Sequence, residues 1–550
     1  MKRIVAALLC VVMLVACFAG CGKDGKGKNG KKKGDGSTIT VGLCTSAVIE
    51  DYDTNALTKY LEEQSGYNIE FQFFSSSGTE AKSQIATMLA AGEVLPDILW
   101  GIDLGRDVYI EYGQDGYLRD LKPYFDDKEG KAKIFWDRFA ELPKDDQESY
   151  KRTIVDVNSG AMYALPTYQV SEIDAMDYQM YINKTWLDKL GMKKPTNLDE
   201  FYNVLKAFKA NDLNGNGMND EIPLIGCNAL SGDVVNFIIN QFVYFDDNRY
   251  FNLDSKGKLN APFTSKEYRE GLKYANKLVK EGLLETLSLT SGSSELRSII
   301  CPPMDNNKKI DESQMIVGCF VGHPTLCIEP NNPAFYHYEG MNYWNRCVTN
   351  PHQNSYRTFI TADCQNPDAA WDLCMCMYTK EASNRIRYGE KGKDWDDADK
   401  NTTSFIGLPA EIKIMNQVFA VNNNSIWGNV VCTILIWSEN EVTQIENVSD
   451  WEKHKNDAFT EVYNNYYAAK EKYNPKQMLP ALVYTTEEND QYSMTRSNCQ
   501  SLIANSRSSF VTGTLDPNKD SDWNSYLKQL DDQGLDTWLD LAQKAYDRQK

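Results

Sequence analysis

Residues 212–223 read D-L-N-G-N-G-M-N-D-E-I-P, and no other run in the chain limits its surroundings so tightly. Oxygen-bearing side chains stand at alternate positions about a glycine turn: Asp212, Asn214 and Asn216, then Gly217, then Asp220 and Glu221. Ca²⁺ takes about six to eight oxygen ligands at roughly 2.3–2.6 Å, and a D-x-N-x-N-G run supplies them by wrapping the chain round the ion. Met218 would add its carbonyl, while Gly217 takes the turn that a residue with a Cβ resists. The loop is not an EF-hand, because Pro223 stands where the closing bidentate Glu belongs, so Glu221 has to close the cage. Asn and Gly also dominate ordinary solvated turns. The alternation followed by two consecutive acids favours a calcium loop over residues 212–221. With all ligands drawn from one tight loop, the ion would be structural.

A chain of 550 residues with 42% hydrophobic content can bury a large core divided over roughly two to four domains. The formal net charge of -19 argues against nucleic acid as a partner, since neutralising phosphates needs clustered Lys and Arg. With 31 Tyr and 11 Trp, the chain holds more aromatic surface than its core needs, so some rings are expected to face a ligand.

Met1, Lys2 and Arg3 precede an apolar run over residues 4–20, the form of a secretory signal. It ends at Phe18, Ala19, Gly20 and Cys21, small residues before a Cys, which resembles the lipobox of bacterial lipoproteins. Leu14, Val15, Ala16 and Cys17 fit as well; Cys21 is preferred because Gly22 begins a polar tether at once. An uncleaved membrane helix is the competing reading, and the run is short for one. Residues 1–20 are then a signal peptide and 21–37 a Gly/Lys leash that cannot pack and can rest on anionic lipid. Acyl chains plus a basic segment give the two signals that stable anchoring needs. Of 14 Cys, setting aside Cys10, Cys17 and Cys21 leaves 11, an odd number without zinc or redox spacing. Cys319 and Cys432 sit in apolar runs and read as small buried hydrophobes, like most of the others.

Strand, helix and strand follow one another at residues 39–41, 55–64 and 69–73, a βαβ opening. A helix over 79–91 stops at Gly92, and a buried strand over 95–100 ends where ligands collect in parallel sheets. Residues 160–166 turn into a strand, and 178–183 form another. Thr196 with Asp199, and Thr264 with Glu267, have the spacing of capping boxes ahead of helices that bury Phe201, Leu205 and Phe208, and Tyr268, Leu272 and Ala275. Asn366 and Pro367 start a third helix with Trp371, Cys374 and Met377 inward.

With these residues in view, the chain resembles the extracellular solute-binding proteins of carbohydrate ABC importers. The likeness is to the LipO-like subgroup of Gram-positive bacteria and to calcium-containing alginate-binding proteins. It rests on residues 181–191, 195–202, 220–223, 387–392 and 510–517, and spans most of the mature chain. The resemblance implies an α/β fold of two lobes, of the type II periplasmic-binding kind, with ligand in the cleft and a hinge at the crossovers. Lobe 1 is expected over 38–165 and about 356–421, lobe 2 over 166–355 and about 422–550. The family's calcium ligands carry over onto Asp212, Asn214, Asn216, Met218 through its carbonyl, Asp220 and Glu221. The resemblance further implies a lipid-anchored monomer outside the cell membrane that hands an oligosaccharide to ABC permease subunits and needs no catalytic residue.

Sugar rings want flat apolar surfaces for their C–H faces and planar polar groups for their hydroxyls. Trp100 with Asp103, Tyr168 with Gln169, His323, Trp344 with Arg346, and Trp427 offer that combination. Each Trp has a competing role in the core, and at least two of Trp100, Tyr168, Trp344 and Trp427 are expected to line the cleft. Tyr463, Tyr466, Tyr467 and Tyr473 read as a helical packing face. A surface glycoside-active enzyme is a competing function, but among 77 acidic residues a plausible carboxylate pair carries no weight. Nor does the sequence contain a G-x-S-x-G elbow, Walker loop or H-E-x-x-H motif. A receptor for a peptide or other non-sugar solute using the same cleft is the other alternative.

Overall fold

The chain enters the fold on β1 (Thr38–Cys44), whose Ile39, Val41 and Leu43 are all buried. The computed structural model describes residues 38–550, apart from 171–178, 229–231, 324–326, 342–351, 405–406, 420, 429–431, 437–442, 447–448 and 474–477. Further strands are β2 (Asn68–Phe74), β3 (Ile98–Trp100), β4 (Leu165–Val170), β5 (Met180–Asn183), β6 (Ile222–Ile225) and β7 (Val317–Val321). They continue with β8 (Tyr338–Gly340), β9 (His352–Ile360) and β10 (Ile434–Ile436).

Among the described residues, six of these strands form one sheet in the order β10-β4-β9-β3-β1-β2. β1 runs parallel to β2 and β3, β9 lies antiparallel between β3 and β4, and β10 is parallel to β4. A second sheet has the order β8-β5-β7-β6. The central strands β3, β5 and β7 are buried at every position, which is why they read as short apolar runs. In β5, Met180 and Ile182 join one core cluster while Tyr181, between them, joins another. In the first sheet Trp100 and Leu165 face one cluster, Leu99 and Phe359 the opposite one. The chain passes from the first sheet to the second after Val170 and back after Gly340; after Ile436 it enters a further, three-stranded sheet through Thr443–Ile445.

Helices cover these sheets, and their ends follow local side-chain chemistry. α1 (Ala56–Ser65) is capped by Asn55 and stops at Gly66, whose φ of 75° a Cβ would disfavour. α2 (Arg106–Gln114) follows β3, and α3 (Leu198–Lys209) buries Phe201, Leu205 and Phe208 as the spacing predicts. Its N-cap is Asn197, which accepts from the Glu200 N–H at 3.0 Å, one residue later than expected; Thr196 instead donates to the Glu200 carboxylate. α4 (Lys266–Lys280) shows the same offset. Thr264 ends a 3₁₀ turn and donates its hydroxyl to Ala261, so Ser265 becomes the cap. α5 (Pro367–Cys376) begins at Asn366 as expected and buries Trp371 and Cys374. α6 (Asp450–Tyr473), α7 (Thr486–Thr512) and α8 (Leu535–Arg548) complete the C-terminal part. The side chains of Tyr463, Tyr466, Tyr467 and Tyr473 in α6 lie outside the described residues.

One segment departs from the expected partition. β10 pairs with β4 in the first sheet, and Trp427 and Cys432 lie in that sheet's core, beyond the expected return at residue 421. A three-residue apolar strand carries no period that says which sheet it joins. Most of the ten described cysteines are buried, and burial alone pushes the Cys319 thiol well above its usual pKa. Among the described residues, no helix is long and apolar enough to cross a membrane.

Candidate functional site

β3 ends at Trp100, and the chain turns through Gly105, at a φ of 83°, into α2. The first two residues of α2, Arg106 and Asp107, therefore stand near the carboxyl end of a parallel strand, where α/β folds place their ligands. Opposite them is the N-terminus of α7. Thr485 caps it by accepting from the Glu488 N–H, and Glu488 returns the bond to the Thr485 N–H at 2.9 Å. Arg548 of α8 grips the Glu488 carboxylate at 2.6 and 2.9 Å, so the end of α7 is held firmly.

Between the two helices lies a cavity of about 510 Å³, within the range of roughly 300–1,000 Å³ usual for small-ligand sites. The first-sheet side contributes Arg106, Asp107, Ile110, Glu111, Gln114 and Asp156; the other side contributes Tyr484, Thr486, Asn489, Ser493 and Met494. Polar contacts join the two sides directly. The Asn489 amide donates to Asp107 at 2.7 Å, Asn158 donates to the Thr486 hydroxyl at 2.8 Å, and Arg152 donates to the Gln549 carbonyl at 3.0 Å.

The charges on this wall are fixed by their neighbours. Arg106 donates to the Val155 carbonyl at 2.6 Å and the Thr153 carbonyl at 3.5 Å, at the end of the helix Lys144–Ile154. Asp156 is buried, which by itself raises its pKa. Hydrogen bonds from the Ser159 hydroxyl, the Asn158 N–H and the Gln114 amide outweigh burial and hold the carboxyl below its usual value. Tyr484 stacks on Tyr492 with ring centres 4.0 Å apart, leaving a rigid aromatic pair at the cavity.

Trp100, Asp103, Tyr168, Gln169, His323 and Trp427, singled out from the sequence, are not among the described residues that line this cavity. Trp100 and Trp427 are brought together, but in the core: both are 0% exposed and meet edge to face at 5.3 Å, with the Trp427 indole N–H on Thr58. Neither offers a face to a ligand in this conformation, because each ring is packed against the other, and Trp427 also against Phe71. Tyr168 is also buried and donates its hydroxyl to Asp146 at 2.9 Å. Asp103 is exposed beside Arg357, 3.6 Å away, at the carboxyl end of β3. Gln169 and His323 are half-buried, on β4 and just after β7. Trp344 and Arg346 lie outside the described residues.

The loop after α3 folds around its own polar groups. Asp212 accepts from the N–H groups of Gly215, Asn216 and Gly217 at 2.7, 3.2 and 2.9 Å, and Gly215 and Gly217 both have positive φ. The amides of Asn214 and Asn216 reach the two oxygens of Asp220 at 3.3 and 3.0 Å. Glu221 accepts from the Leu213 N–H at 2.7 Å through one oxygen, while its Oε2 is buried without a partner. The Met218 side chain is exposed and its N–H donates to Asn216. Among the described residues, no three His, Cys, Asp or Glu side chains are gathered closely enough to hold an ion by themselves; here amides stand between the carboxylates.

The fold narrows the class. Residues 46–300 match the family of bacterial extracellular solute-binding proteins, and the two sheets joined by crossovers make a two-lobe α/β fold. Over 97% of its length the chain is 22% identical to the fructooligosaccharide ABC transporter substrate-binding protein FusA of Streptococcus pneumoniae, covering 96% of that protein. Its fold is also that of an extracellular solute-binding protein from Bifidobacterium longum subsp. infantis, at a TM-score of 0.72, 22% identity and coverage of 93% and 98%. The alginate-binding protein AlgQ2, in a structure without calcium ion, superposes at a TM-score of 0.59 with 19% identity and coverage of 93% and 98%.

Proposed function

We propose that this protein is the lipid-anchored, extracellular substrate-binding component of an ABC importer, taking an oligosaccharide between its lobes and delivering it to the permease. One observation carries the reading: a polar, Tyr-edged cavity lies between the lobes at the carboxyl end of β3, in a chain similar end to end to a fructooligosaccharide-binding protein. Planar amides and carboxylates from both sides suit sugar hydroxyls, and a hinge that brings the sides together would enclose the ligand. Lobe 1 in this reading is 38–170 with 352–436, and lobe 2 is 180–340 with 450–550. Gln169, His323, Trp344 and Arg346, at or near the crossovers, are assigned as further ligand contacts. Anchoring is assigned to Cys21, and no step of the cycle calls for catalysis.

The loop over 212–221 is assigned to structural Ca²⁺. The fit rests on Glu221 Oε2, a buried carboxylate oxygen with no donor, and on the amides of Asn214 and Asn216, whose oxygens turn toward Asp220 by a half rotation. An oxygen-seeking dication satisfies such a donor set. Purified protein titrated calorimetrically with an oligosaccharide panel should bind one member stoichiometrically and return it unchanged. Shorter products after incubation would reject the transport reading in favour of an enzyme, and saturable binding of a peptide with no sugar bound would favour a receptor.

A further inference from the structure

Resting on that reading, we infer that the cleft selects uncharged oligosaccharides and rejects those bearing carboxylates. The cavity wall supplies three carboxylates, Asp107, Glu111 and Asp156, against a single cation among its described residues, Arg106. That cation is engaged, with its guanidinium on the carbonyls of Val155 and Thr153. Asp156 is buried, and its hydrogen bonds from Ser159, Asn158 and Gln114 hold it ionised, so its charge is a fixed feature of the wall. Asp107 keeps its place through the Asn489 amide.

Hydroxyl groups both donate and accept, so a neutral sugar can give its protons to these carboxylates. A uronate or sialyl group brings a further acceptor with a negative charge to a wall that already carries three carboxylates, of which Asp156 is buried. Like charges a few ångströms apart in such a place repel strongly, and unfavourable juxtaposition is how interfaces exclude wrong partners. The formal charge of -19 adds a long-range field of the same sign, slowing the approach of an anionic ligand.

The test is two matched sets of trisaccharides titrated into the whole folded protein. Neutral fructo-, malto-, galacto-, manno- and xylo-trioses form one set; galacturonate, mannuronate and guluronate trimers with sialyllactose form the other. A neutral sugar should bind, with every acidic one weaker by roughly a hundredfold or more at low salt and the gap narrowing as salt is raised. In D107N/E111Q the ratio of acidic to neutral affinity should rise about tenfold or more. An acidic trimer that binds most tightly, or a ratio unmoved in that variant, overturns the charge selection while leaving the oligosaccharide reading intact. Failure of both sets to bind rejects the oligosaccharide reading and this inference with it.

Discussion

The Asp107 carboxylate of the first lobe accepts a 2.7 Å hydrogen bond from the Asn489 amide of the second, although 382 positions separate them in the chain. In the hinge reading proposed above, closure of the two sides therefore has a contact that can be removed singly. A hydrogen bond of this kind contributes about 1 kcal/mol net, so Asn489→Ala should shift the balance between open and closed forms by roughly fivefold. Small-angle scattering without ligand should report a larger radius of gyration for the variant, and an unchanged radius would mean that other contacts set the closure.

The Trp427 ring is a structural element in this fold. It meets Trp100 at 5.3 Å and Phe71 at 5.5 Å, both edge to face, and its N–H is satisfied by Thr58. Trp427→Ala should cost about 3–5 kcal/mol of stability, as for other buried aromatics, with little change in ligand affinity per folded molecule. A stable variant that binds weakly would return the ring to the cleft.

For the Asp212 loop, calcium should raise the melting temperature and a chelator should lower it. Asp212→Ala should abolish that response, since Asp212 organises three successive N–H groups of the turn. Melting curves indifferent to chelator in the unmodified protein would make the loop an ordinary turn.

Acid should weaken the lobe 1 wall through Asp156. Its folded pKa is depressed, so its contribution to stability is present above the unfolded value of roughly 3.9 and is lost as pH falls through the lower folded value. Asp156→Asn should flatten the acid limb of the stability curve below about pH 4. An unaltered acid limb would show that the Gln114, Asn158 and Ser159 bonds do not favour the ionised form.

Anchoring is tested on the cell. Cys21→Ala should release the protein to the medium or leave it as an unprocessed precursor, whereas Cys17→Ala should be processed normally. The opposite result would move the lipid to Cys17.

Local chemistry was readable wherever a few neighbouring residues decide the outcome. Asn55, Gly92 and Asn366 end or begin helices where the sequence places them, and the one-residue offsets at Asn197 and Ser265 arise because two capping residues stand side by side. The cavity was not readable, since Arg106, Asp156 and Asn489 come from three distant segments and none has a local pattern of its own. One signal was present: the Thr485-to-Glu488 spacing marks the start of α7, the helix that forms the far wall. Trp100 and Trp427 were misplaced for the same reason, because each ring's burial depends on the other's loop.

The order of strands in the first sheet sets a timetable for synthesis. β4 ends at Val170, yet its two neighbours are β9, which begins at His352, and β10, which ends at Ile436. While a ribosome or secretion channel is still issuing the middle of the chain, β4 has neither edge to pair with, and such long-range pairing forms slowly. The emerging polypeptide is thus kept from locking into half a molecule until most of it is available. A nascent chain cut short at about residue 350 should remain protease-sensitive, and a chaperone that shields β4 would find its target exposed for most of the journey.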